Sequence, residues 1–246
     1  MDLKEENILG ESVSRHWYYA SKLGAVRRLL RGLGIRSILD VGAGSGFFGR
    51  SLLRETKADR CQCVDINYPA DRDTVEAGKP VLFRRQPEDI AAHDLILFID
   101  VLEHVEDDAG FLAHYVAGAA EGTHVLLSVP AFPSLWSGHD VFLGHHRRYR
   151  LRQLEELARR AGLDVVRGRY FFGLLFPLVA LVRMAKRGVG TVSESDLRPA
   201  PTLVNGALRL LCDIEARLLL PVNRLCGVTA FCLARKPRGK QQRDHQ

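Results

Sequence analysis

Sulfur is scarce in this 246-residue chain, which has five cysteines and two methionines. No Cys-x-x-Cys pair occurs, so a zinc ribbon and a disulfide scaffold are both excluded, and a reducing compartment is expected. Cys61 and Cys63 fall two apart on one strand pattern and read as core packing. Long apolar runs are missing too. The longest, residues 170–182, is shorter than the ~20 residues of a membrane span and is interrupted by Pro177. The opening Met1-Asp2-Leu3-Lys4-Glu5-Glu6 is polar and acidic, so no secretory leader is expected. Internal repeats are absent. Acids are thin in the second half, where Arg147, Arg148, Arg150, Arg152, Arg159 and Arg160 meet few partners. The net charge of +6 suits an anionic partner or a solvated basic surface. With 46% hydrophobic residues, the chain has the composition of a globular protein.

What is present is an alternation of strands and helices. Helical spacing of Val13, Trp17, Ala20, Leu23, Val26 and Leu30 predicts a helix over 12–31. Strand patterns follow at 37–41, 60–65, 81–83, 94–100, 124–129, 163–170 and 228–234. Helices are expected at 46–56, 107–120 and 151–161, and a loop over 131–149. The unbroken apolar run at 94–100 suits a parallel strand buried on both faces. Alternation at this spacing indicates right-handed βαβ units and a doubly wound sheet. Ligands of such sheets sit at the carboxyl ends of the strands. Asp40, Asp65 and Asp100 all fall there.

Ile38-Leu39-Asp40-Val41-Gly42-Ala43-Gly44-Ser45-Gly46-Phe47-Phe48-Gly49 is the most informative segment. A strand ends in glycines that open a helix, so the backbone can turn sharply and bring its amides to a ligand. Gly44-x-Gly46-x-x-Gly49 also fits the dinucleotide fingerprint. Asp40 stands where a dinucleotide enzyme has an apolar residue. Together with Asp65 and the box Asp100-Val101-Leu102-Glu103-His104, the segment resembles the class I S-adenosylmethionine (SAM) methyltransferases. The box is similar to that of the subgroup containing the ubiquinone-type O-methyltransferases.

The resemblance implies a Rossmann-like, seven-stranded, mostly parallel sheet with helices on both faces, an antiparallel last strand, and SAM as cofactor. It implies that Asp65 holds the ribose hydroxyls and that Gly42, Gly44 and Gly46 flank the methionine portion. Asp40 orders that loop or reaches the ammonium, and Asp100 helps hold the methionine end. Gln86 and Glu88 fall near the adenine, with Ile66 against its face. A Glu-x-x-Glu-His magnesium arrangement occurs in some similar methyltransferases. Here Asp100 replaces the first acid and imidazole is an unusual magnesium ligand, so no metal is assigned. Glu103 and His104 are given a loop-ordering role.

The acceptor side falls in Leu135-Trp136-Ser137-Gly138-His139-Asp140 and Gly144-His145-His146-Arg147-Arg148-Tyr149. Both segments, with His16-Trp17-Tyr18, resemble a bacterial methyltransferase subgroup. His139 or His145 could take a proton from a hydroxyl, with Asp140 orienting the ring. Trp136 and Tyr149 are expected as pocket walls, and Arg147 and Arg148 as binders of an anionic substrate group.

The organisation expected is an N-terminal helical cap over 1–34, a SAM-binding core over 35–170, a helical insertion over 171–226, a last strand over 227–236 and a basic tail over 237–246. The insertion reads as an acceptor cap, a dimer face or, with Arg183, Lys186 and Arg187 beside its apolar run, a membrane contact. The function expected is SAM-dependent O-methylation of an apolar small molecule or lipid-linked precursor. The setting is cytoplasmic, at the inner face of a membrane if the insertion meets lipid. A NAD(P)-dependent oxidoreductase and a catalytically silent SAM-fold subunit are the alternatives. The apolar insertion argues against a nucleic-acid partner.

Overall fold

The apolar runs of the first half become parallel strands because both of their faces find cover. A computed structural model describes residues 10–186 and 201–239 of the chain. Strand β1 is Ser37–Val41, β2 Arg60–Val64, β3 Arg72–Glu76, β4 Lys79–Arg84, β5 Leu95–Ile99, β6 His124–Pro130, β7 Asp164–Phe171 and β8 Thr229–Arg235. They form one sheet in the order β3-β4-β2-β1-β5-β6-β8-β7. β1 pairs in parallel with β2 and β5, β2 with β4, and β5 with β6. β8 runs antiparallel between β6 and β7. The strand order reverses between β2 and β5 about β1, so the carboxyl end of β1 opens at the switch point.

Helix α1 spans Trp17–Leu29, α2 Phe47–Glu55, α3 Asp108–Gly118, α4 Gly138–Leu143, α5 Leu151–Arg160, α6 Phe176–Lys186 and α7 Thr202–Leu218. Alternate side chains of the central strands feed two cores. Ile38, Leu95 and Leu97 join Val26 and Leu29 of α1 and Phe48 and Leu52 of α2. Leu39, Ile96 and Phe98 join Leu112 and Val116 of α3 and Leu154 of α5. Each such side chain, fully buried, contributes roughly 1.5–3 kcal/mol.

The sheet has eight strands, not seven. The additional β3 makes an edge hairpin with β4, turning through Ala77 (φ 52°) and Gly78 (φ 77°). Two positive φ values make a turn whose twist matches the strands. Ala-Gly advertises that turn less clearly than Asn-Gly would, and the exposed β3 has no apolar alternation to reveal it. The loop expected over 131–149 contains α4, started by a capping box in which the Ser137 amide donates to Asp140 Oδ2 at 2.8 Å.

The insertion packs against the first helix. Cys212 and Ala216 of α7 enter the core beside α1. Asn205 accepts from the Trp17 amide at 2.7 Å and donates to the Arg15 carbonyl at 2.9 Å. It thereby caps α1, whose own N-cap residue His16 supplies no side-chain cap. Buried Glu215 accepts from the amides of Gly173 (2.7 Å) and Leu174 (3.1 Å), fixing the chain before α6. The outer faces of both helices stay apolar, with Leu178, Leu181, Leu210 and Leu218 exposed. Residues 1–9, residues 187–200 with Arg187 of the expected membrane contact, and most of the basic tail lie outside the described residues, as does the side chain of Lys186.

Candidate active site

The carboxyl ends of β1, β2 and β5 meet around the glycine loop. Gly42, Gly44 and Gly46 take φ of 64°, 57° and 76°, a region costly for residues bearing a Cβ. At Gly46 a Cβ would also stand 2.9 Å from Cys63 Sγ. Gly49 has a different reason. Its Cβ would meet Asp40 Oδ2 at 2.9 Å and Cys61 Sγ at 2.7 Å, because α2 lies directly on β1 and β2 there. Asp40 is buried, and its Oδ2 accepts from the Gly49 amide at 2.9 Å. The carboxylate is thus engaged at the first turn of α2, where negative charge meets the positive end of the helix.

Asp65, just past β2, faces the loop. Its Oδ2 accepts from the Gly44 amide at 3.1 Å, and its Oδ1 from the Asn67 amide at 2.9 Å and side chain at 3.1 Å. Tyr68 donates its hydroxyl to the Gly44 carbonyl at 2.5 Å. No cation pairs with Asp65 among the described residues, so its unused lone pairs suit neutral hydroxyl donors such as a ribose. Beside it a shallow depression of about 580 Å³ is lined by Ile66, Arg84, Gln86 and Glu88. Ile66 is 76% exposed on its rim. The Glu88 carboxylate pairs with Arg84. A narrow glycine cradle, a lone carboxylate and an apolar rim are a donor set that fits SAM.

Asp100 ends β5 with φ 55°, a strained value for a non-glycine residue. Its carboxylate pairs with Lys22, and Ser128 donates to it at 3.4 Å. The Lys22 side chain has no exposed surface and also donates to the Tyr18 hydroxyl at 3.1 Å. Burial alone would lower the lysine pKa, but the Asp100 charge overrides it and the group is held above its ordinary value. Sequence reasoning missed Lys22. The available signal was its spacing, since it shares a helical face with Tyr19, Val26 and Leu29.

Three residues on, Glu103 is 1% exposed and its Oε2 has no hydrogen-bond partner. Burial, then the nearby Asp100 charge, pushes its carboxyl pKa well up. The loop 131–149 folds over this point. Asp140 is fully buried and accepts from His145 Nδ1 at 2.9 Å and Arg148 Nε at 2.6 Å. Burial opposes its charge, yet His145 and Arg148 together hold its carboxyl far below the usual range. The His145 ring lies 4.7 Å from that of His104 and 6.5 Å from that of His139. Glu103, His104 and His145 each bring a ligand atom within 4.8 Å of the others.

The remaining candidates on this loop fall into two groups. Trp136 is 37% exposed at the surface of the lid. Arg148 is turned inward, donating to Asp140 and to the Ala131 carbonyl at 3.1 Å. Tyr149 donates to Asp108 Oδ2 at 2.6 Å and to the Leu102 carbonyl at 3.2 Å. Arg147 pairs with Asp108 at 2.9 Å and donates to the Glu106 carbonyl at 2.5 Å. Of the three residues expected at the substrate, Arg147 and Tyr149 thus fasten the lid to the core, while Arg148 ties the lid to itself.

Comparison with known proteins agrees with this geometry. Among curated proteins, none is a significant sequence match. A putative methyltransferase from Bacillus halodurans has a similar structure, with a TM-score of 0.55 at 13% identity, covering 89% of this chain and 100% of that one. A SAM-dependent methyltransferase from Archaeoglobus fulgidus aligns with a TM-score of 0.53 at 17% identity, over 95% and 98% of the two chains. A Haemonchus contortus phosphoethanolamine N-methyltransferase, solved with SAM, gives a TM-score of 0.57 at 15% identity over 96% of this chain and 57% of that one. These likenesses establish the fold. The family profile for the methyltransferase domain matches residues 15–167, most of the chain and all of the strand-end site, so the chain belongs to the methyltransferase-domain family.

Proposed function

We propose that the chain is a SAM-dependent methyltransferase that acts on an oxygen of an apolar small molecule or lipid-linked precursor. The observation that carries the reading is Asp65, a carboxylate that accepts from the Gly44 amide and pairs with no cation among the described residues, in a methyltransferase-domain chain. Bound SAM supplies an electrophilic methyl group. Asp65 accepts the ribose hydroxyls, the loop from Gly42 to Gly46 flanks the methionine portion, and Asp40 keeps the loop on α2. Asp100 and Lys22 set a fixed ion pair at the methionine end. Gln86, Glu88 and Ile66 border the adenine. On the acceptor side His139 and His145, the latter oriented by Asp140, set the ionisation of the acceptor hydroxyl. In-line approach at short range does the rest.

The apolar acceptor is supported by the outer faces of α6 and α7, whose leucines are exposed, and by the packing of α6 beside Pro133–Leu135 of the lid. Among the described residues no helix is long and apolar enough to cross a membrane. The same faces, on a chain of net charge +6, suit peripheral contact with an anionic bilayer at the cytoplasmic side. Calorimetry with SAM, S-adenosylhomocysteine and NADH tests the cofactor, with heat expected from the first two alone. NADH heat without SAM heat would favour an oxidoreductase. Tritiated methyl transfer into lipid and aqueous extract fractions tests the acceptor. SAM binding with no transfer into either would favour a catalytically silent subunit.

A further inference from the structure

A second cleft lies at the end of the sheet opposite the glycine loop. It runs between the last turn of α1 with the loop that follows it and the last turn of α2, beside the amino ends of β1 and β2. Its volume is about 560 Å³. Buried Leu30 and Leu52, with half-buried Leu33, give it an apolar floor. Gly32 and Gly34 stand on its rim, where a Cβ would meet no atom within 4 Å. Four cations and one acid line the cleft. Arg27 pairs with that acid, Glu55. Arg36 pairs with Asp59 at 3.4 Å. Arg31 and Lys57, both exposed, form no ion pair among the described residues.

Helix carboxyl ends are partly negative and would by themselves repel an anion. Here they are answered from within the protein. Lys79 Nζ donates to the Leu53 and Thr56 carbonyls at the end of α2, at 2.8 and 3.0 Å. At the end of α1 the amides of Arg31 and Leu33 donate to the carbonyls of Arg28 and Leu30. The charges of Arg31 and Lys57 are therefore left for a ligand. We infer that the cleft binds a small phosphomonoester with a short apolar body, its phosphate held by Arg31 and Lys57 and its body lying on Leu30, Leu33 and Leu52. A phosphomonoester carries about −1.5 to −2 charges at pH 7 and so matches two unpaired cations. The guanidinium fork can engage two phosphate oxygens, and the ammonium adds a point charge. A bare phosphate would leave the apolar floor uncovered, and an uncharged body would leave both cations unmatched. Bound there, the ligand ties the end of α1, the helix of Lys22, to the end of α2. That second helix has nine residues, so the cleft stands about 13 Å from the glycine loop at its other end. The site is thus separate from the methyl-transfer site and does not depend on the methyltransferase reading.

The test is calorimetry of the full-length protein with n-hexyl phosphate, inorganic phosphate and hexanol. One equivalent of hexyl phosphate is expected, bound at least about tenfold more tightly than inorganic phosphate because methylenes leave water. Binding should weaken as salt rises, and hexanol should give no heat. Arg31→Ala/Lys57→Ala should weaken hexyl phosphate binding by at least about tenfold through lost charge-assisted hydrogen bonds. Arg159→Ala/Arg160→Ala, a pair of exposed cations on α5, should leave it unchanged. Leu33→Ser should narrow the gap between hexyl phosphate and inorganic phosphate. Circular dichroism on each variant checks that the fold persists. Absence of stoichiometric hexyl phosphate binding to the parent protein overturns the proposal. Equal losses in the two cation pairs do so as well, since they would mark a general basic surface. Inorganic phosphate or hexanol binding as tightly as the ester removes one half of the ligand and has the same effect. Displacement of hexyl phosphate by SAM would move the ester to the strand-end site. Binding to phosphatidate vesicles without binding of the soluble ester would replace it with a lipid headgroup. Failure of SAM to bind a protein that takes hexyl phosphate normally sinks the methyltransferase reading alone.

Discussion

Replacing Lys22 by methionine should cost the fold about 2–4 kcal/mol. Breaking a buried ion pair by removing one partner typically costs about 3–5 kcal/mol, because the other charge is left in a poor solvent. Here the lysine side chain has no exposed surface, but Asp100 is 20% exposed, so water screens the abandoned carboxylate and the range shifts down. Methionine refills most of the aliphatic volume, which keeps the cavity contribution small. Urea unfolding followed by circular dichroism measures the change. A double-mutant cycle with Asp100→Asn isolates the pair, and a coupling of at least about 1 kcal/mol is expected. The pH sign follows from the raised lysine pKa. Its stabilisation is complete below the ordinary lysine value of 10.5 and is lost only as pH climbs past it. The cost of Lys22→Met should therefore be level from about pH 6 to pH 9. A change within about 0.5 kcal/mol of zero, or a coupling indistinguishable from zero, would refute the reasoning.

Asp65→Ala should weaken SAM binding by about 1.5–3 kcal/mol through lost charge-assisted hydrogen bonds, read by calorimetry; an unchanged affinity would remove Asp65 from the cofactor site. Asp140→Asn should destabilise the fold by about 3–5 kcal/mol near neutrality, because Arg148 loses its buried counter-charge. The carboxyl of Asp140 is depressed in the fold, so its contribution is full above the ordinary 3.8 and fades as pH falls through and below that value. The stability difference between parent and variant should shrink with acid, and a difference that stays level would contradict this. Cosedimentation should show more binding to anionic than to neutral vesicles, falling with salt. Leu181→Glu with Leu218→Glu should abolish the binding. Arg183 is unsuitable for that test, because its guanidinium donates to the Leu135 carbonyl and lies 3.8 Å from Asp140 inside the lid. Vesicle binding unaffected by the two leucine changes would detach α6 and α7 from any lipid role.

Sequence alone determined the order of strands and helices along the doubly wound core, the place of its glycine loop and the carboxylates at its strand ends. It could do so because each depends on neighbours in the chain. A run such as Leu95–Ile99 is apolar at every position because both faces of a parallel strand are covered. Gly42, Gly44 and Gly46 are needed where alternate residues of the loop turn at positive φ. The hairpin strand β3 escaped because it is exposed at an edge and has no apolar period to show. Only the tertiary structure decided which charges meet. Lys22 reaches Asp100 across 78 positions, Arg147 and Tyr149 meet Asp108, and Arg148 meets Asp140. His145 arrives beside Glu103 and His104. None of these pairings leaves a local pattern, because each is set by how α1 and the lid close over the end of β5. In that buried place, an unpaired charge is too costly to leave unmatched, so the partner is chosen by proximity after folding rather than by spacing in the chain.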